Sequence, residues 1–64
     1  MKSEHIENIL DRLAEGSVKA KNHFERKKHD ETAYGFIRWL YSVEDLEKIK
    51  YYDNYYLNVK RGIL

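Results

Sequence analysis

Apolar residues recur along this chain at intervals of three and four, the spacing that places side chains on one face of a helix. The first such series is Ile6, Leu10, Leu13, Ser17, Ala20 and Phe24, a heptad-like seam widened by Ile9. Ser3 can cap its start, with Glu4 and Glu7 at the positive end of the helix dipole. The seam keeps its phase across Gly16-Ser17, so the spacing predicts one long first helix running through that glycine. Holding a glycine inside a helix costs about 1 kcal/mol relative to alanine, which a packed seam can outweigh. The small residues Ala14, Gly16, Ser17 and Ala20 leave a shallow stretch on this helix. Small-against-large packing predicts that it faces aromatic side chains.

The turn is expected in "KKHDETA", where Asp30 or Thr32 can cap a second helix with Glu31 in its first turn. That helix carries Ala33, Phe36, Ile37, Leu40 and Tyr41 on one broad face, with Tyr34 and Trp39 to the side. "SVED" then offers Ser42 with Asp45 three residues on, so the second arm bends or restarts near Ser42. Beyond it the three-four rhythm resumes through Val43, Leu46, Ile49, Tyr52, Tyr56, Val59 and Ile63. A β-hairpin turning at Asp53-Asn54 is the rival for residues 48–60. It mixes lysines with large apolar groups on both faces and lacks the glycine such turns favour, whereas a helix separates them. The fold expected is therefore all-α: a helical hairpin with a long first helix and a second arm bent or broken near Ser42.

Length makes that hairpin precarious. Sixty-four residues form one small domain whose lone core is marginal. With no cysteine, neither disulfides nor thiolate-bound zinc can reinforce it. Oligomerisation is the remaining remedy, so two copies are expected to pair as a homodimer in a four-helix bundle. The seam between them is read as Ile6, Leu10, Leu13, Ala20, Phe24, Phe36, Leu40, Ile49, Tyr52 and Tyr56. In size and layout the chain resembles the small helical-hairpin proteins of plasmids and phages, which pair as antiparallel dimers. The resemblance is architectural, and it implies an accessory or regulatory protein without transferring any functional residue.

The net charge is only +1, and no apolar run approaches the ~20 residues of a membrane span. A soluble, cytoplasmic protein is expected. Charge is nonetheless uneven. Between Lys19 and His29, Lys19, Lys21, Arg26, Lys27 and Lys28 stand against Glu25 alone. Between Asp30 and Asp53, three cations stand against six acids. Read functionally, the basic run is a nucleic-acid patch. Read structurally, it is a set of cations at the negative end of a helix finishing near residue 29, and this second reading is preferred. An acidic face that mimics nucleic acid fits poorly with near-zero net charge.

No catalytic constellation is present. The chain has no thiol nucleophile, no phosphate-cradling glycine loop, no H-E-x-x-H helix and no cofactor motif. Glu25 and His29, four apart, give at most two metal ligands where structural zinc wants four. Binding is expected rather than catalysis. Four of the six tyrosines crowd into "YYDNYY". Tyr52 and Tyr56 continue the seam, and Tyr51 and Tyr55 form a second stripe suited to a partner. Phe36, Trp39, Tyr51 and Tyr55 are accordingly the candidate protein contacts, and a nucleic-acid regulator using Lys19–Lys28 is the alternative.

Overall fold

The computed structural model describes residues 2–63. Three helices run up, down and up: α1 (Ser3–Lys19), α2 (His23–Leu40) and α3 (Leu46–Ile63). A short 3-10 turn at Val43–Asp45 leads into α3. The bundle measures 35 × 20 × 17 Å.

The first helix is shorter than its seam suggested. It ends at Lys19, where Ala20 turns extended, and α2 begins after Asn22, whose side chain accepts a hydrogen bond from the Glu25 backbone N–H at 2.8 Å. That cap competes with the apolar rhythm and wins, because it satisfies a backbone donor otherwise left open at a helix start. "KKHDETA" is consequently helix rather than turn. Asp30 and Thr32 cap nothing and lie inside α2. Phe24 leaves the seam altogether: it belongs to α2 and is 75% exposed. Nor does Ser3 cap α1; its hydroxyl shares a 2.7 Å hydrogen bond with that of Tyr52.

The break at Ser42 is present. Its backbone is extended and its hydroxyl accepts from the Glu44 N–H. Residues 48–60 are wholly helical, within α3.

The expected hairpin and four-helix bundle are therefore replaced by a three-helix bundle closed within one chain. Ile6, Leu10 and Ala14 of α1 share a core with Ala33 and Ile37 of α2 and with Ile49, Tyr52 and Tyr56 of α3. Leu13, Phe36 and Leu40 pack half-buried against it. Splitting the expected first helix in two supplies a third apolar face. With α2 and α3 both covering α1, no second copy is needed to complete the core. Gly16 stays helical, as the unbroken phase implied, and its reason is local. A Cβ there would lie 2.7 Å from both Cδ2 and Nε2 of His29, so the bare position makes room for that ring.

Candidate functional site

Three features stand out once the helices are packed. The first is a polar hub toward the α1–α2 end. Asp30, on the core-facing side of α2, accepts at Oδ1 from the Ser17 hydroxyl at 2.7 Å and from the Tyr56 hydroxyl at 2.7 Å. Lys60 Nζ reaches both carboxylate oxygens at 3.0 Å. All three helices thus meet on one carboxylate. Burial pushes the Asp30 pKa up, but the hydrogen bonds from Tyr56, Ser17 and Lys60 outweigh it and hold the group below its ordinary value. Burial and the bond to Asp30 push the Tyr56 phenol the other way, well above its usual range. No buried side-chain polar atom among the described residues lacks a partner. The hub's polar groups are thus engaged with one another across the three helices.

The second feature is aromatic. Trp39 stacks beside Phe36 with ring centroids 6.3 Å apart and is 76% exposed. Two positions beyond buried Ile37, it lies about 200° round α2, on the side away from the core. Neighbouring Gly35 is exposed too, and a Cβ there would meet nothing within 4 Å.

The four sequence candidates do not form one surface. Tyr55 donates to Asp11 of α1 at 2.7 Å, and burial together with that bond pushes its phenol pKa up to about 12. Tyr51, one turn before it on the same side of α3, sits edge-on to Tyr52 at 4.9 Å. Both therefore belong to the α1–α3 side, whereas Phe36 and Trp39 are on α2. Tyr41 and Tyr52 stack at 5.8 Å, and Tyr34 meets Tyr56 edge-on at 5.5 Å. Of these rings only Tyr52 and Tyr56 are buried in the core.

The third feature is charge. Because α2 starts at His23, Arg26 closes its first turn, the positive end of its dipole, and Lys27 and Lys28 follow in the second. The explanation that placed them at a helix C-terminus fails; only Lys19 sits in a last turn. The Lys60–Asp30 contact ties the last turn of α3, which carries Lys60 and Arg61, to α2.

Elsewhere a shallow cleft of about 470 Å³ between α2 and α3 is lined by Tyr34, Arg38, Lys50, Asp53, Asn54 and Leu57. Arg38 binds Asp53 through both nitrogens at 3.2 and 2.9 Å, so its central charges answer each other. Among the described residues no group of three metal-ligating side chains converges. Glu25 and His29 are joined instead through the Glu25 carbonyl and His29 Nδ1 at 2.8 Å. No helix among the described residues is long and apolar enough to cross a membrane. Comparison with protein families, curated proteins and solved structures finds no match to this chain.

Asp30, Ser17, Lys60 and Gly35 were missed as a group. Asn22 with Glu25 three residues on has the spacing of a capping box, and this signal could have moved the turn forward. Asp30 then falls three residues before Ala33 and seven before Ile37, on the apolar face of α2.

Proposed function

We propose that this chain is a non-enzymatic binding module that takes a protein partner on the outer face of α2. One observation carries the reading: Trp39, the only tryptophan, stands 76% exposed against Phe36 although the core is closed without it. Tryptophan concentrates at the energetic centres of protein interfaces, because a stiff amphipathic ring buries much area for little lost entropy. Gly35 supports it. An exposed glycine in mid-helix costs about 1 kcal/mol relative to alanine, and no contact among the described residues requires the bare position. It allows another backbone to come close beside the two rings. The partner implied presents an apolar ridge that lies along α2 over Gly35 and meets Phe36 and Trp39.

A photo-crosslinking residue placed at Trp39 in the native host tests this. One discrete protein adduct is expected from that position, none from Arg12 on exposed α1, and loss of the adduct on Gly35→Leu. Absence of an adduct, the same products from both positions, or indifference to Gly35→Leu would overturn it.

A further inference from the structure

We propose that the cavity beside the corner between α2 and α3 binds a quaternary ammonium group. The rings of Tyr41 and Tyr51 hold it there, with Glu47 as counter-charge. All three helices supply this place: Ser3 opens α1, Tyr41 ends α2, and Glu47, Lys48, Tyr51 and Tyr52 belong to α3. These six residues line one cavity of about 380 Å³, a volume within the small-ligand range. Direct contacts join them as well. Tyr41 stacks on Tyr52 at 5.8 Å, and Tyr51 stands perpendicular to Tyr52 at 4.9 Å. Tyr51 is 55% exposed and Tyr41 half-buried, so both rings remain open to an occupant.

Lys48 shows what the cavity attracts. Its Nζ lies 5.5 Å from the centroid of the Tyr41 ring, where the negative face of the ring draws a cation. Lys48 is exposed and pairs with no carboxylate among the described residues. Its flexible stem lets it yield that ring to a better cation.

An anion suits the cavity poorly. Glu47 lines its wall. Burial, the Tyr52 hydroxyl and the nearby charge of Asp45 push the Tyr41 phenol up, so a second carboxylate stands close to that ring. With Lys48 swung aside, Glu47 and Asp45 favour a positive ligand. The Ser3 and Tyr52 hydroxyls are bonded to each other at 2.7 Å, which leaves a primary ammonium few acceptors to replace its water. A quaternary ammonium donates no hydrogen bond and gives up water at lower cost, so ring faces and a carboxylate are enough. Trp39 lines no part of this cavity, and the site is independent of the protein-binding face.

Proton NMR of tetramethylammonium titrated with the full chain tests the proposal. Ring currents should move the methyl resonance upfield in a saturable way. Tyr51→Leu should weaken binding about tenfold. Lys48→Ala, which removes the competing cation, should tighten it about threefold. Trp39→Ala should bind as the parent does, and circular dichroism checks that each variant remains folded. Titrations with choline and with a peptide carrying trimethyllysine then identify the source: tighter binding of the peptide assigns the group to a protein, tighter binding of choline to a free metabolite. No saturable shift, equal affinity for uncharged tert-butanol, or affinity unchanged by Tyr51→Leu would overturn the assignment.

Discussion

The two ends of this bundle are held together differently. Near the start of α1, Ile6 and Leu10 share a core with Ile37, Ile49 and Tyr52. Near its end the interior turns polar: Ser17, Asp30, Tyr56 and Lys60 meet on one carboxylate. A buried apolar side chain contributes about 1.5–3 kcal/mol and tolerates many arrangements of its neighbours. A hydrogen-bonded polar cluster contributes less net energy but depends more strictly on alignment. The difference teaches a division of labour, in which the apolar end supplies most of the stability and the polar end fixes the register of three helices.

Four measurements break or sharpen that division, beginning with the largest. Leu10→Ala empties a fully buried site at the apolar end and should cost about 3 kcal/mol. That approaches the whole stability of a domain this small, about 3–5 kcal/mol, so urea titration at neutral pH should find only about 0–2 kcal/mol left. A loss under about 1 kcal/mol would mean that the apolar end is not the main source of stability.

Asp30→Ala acts on the other end. It leaves Lys60 and two hydroxyls without their acceptor and should cost about 2 kcal/mol, moderated because the pair is partly open to water. Its pH dependence separates the two ends. The folded Asp30 carboxyl lies below its ordinary 3.8, so its contribution is present above that pH and is lost as pH falls through the lower folded value. Thermal melts of the parent and of Asp30→Ala should converge in acid, while Leu10→Ala stays apart from the parent at every pH. Curves that never converge would remove the hub from the account.

The two glycines give a finer contrast. Gly35→Ala meets nothing and should stabilise the free chain by about 1 kcal/mol. Gly16→Ala displaces the His29 ring, so its helix gain should appear only when His29→Ala is made as well. A thermodynamic cycle of these variants showing no coupling between positions 16 and 29 would contradict the packing. Smallest is Tyr55→Phe, which removes the bond to Asp11 and should cost about 0.5–1 kcal/mol. With the folded Tyr55 phenol raised to about 12 from 10.0, that contribution is present below pH 10 and fades as pH climbs toward 12. An ultraviolet titration in which Tyr55→Phe leaves the most alkaline phenol transitions unchanged would contradict it.

Much of the local architecture was legible. Ile6 and Leu10, Ala33 and Ile37, and Ile49, Tyr52 and Tyr56 each keep a helical rhythm on their own segment, and Ser42 marked the second break. The first break was misplaced because Phe24 happens to keep phase with Ala20, and apolar spacing weighed more than the Asn22 cap. The aromatic cluster was half legible. That Trp39 lies off the apolar stripe follows from counting residues, but that Tyr55 reaches Asp11 does not.

Sequence alone determined that this chain is helical, where its second corner falls, and that it carries no thiol chemistry. These depend on groups within about four residues of one another. Only the tertiary structure decided that the core closes within one chain, that Asp30 is a hub, and that Lys60 of α3 reaches it. The hub's partners are 13, 26 and 30 residues from Asp30. Such pairs are chosen by how three helices pack, and no repeat along the chain records that choice.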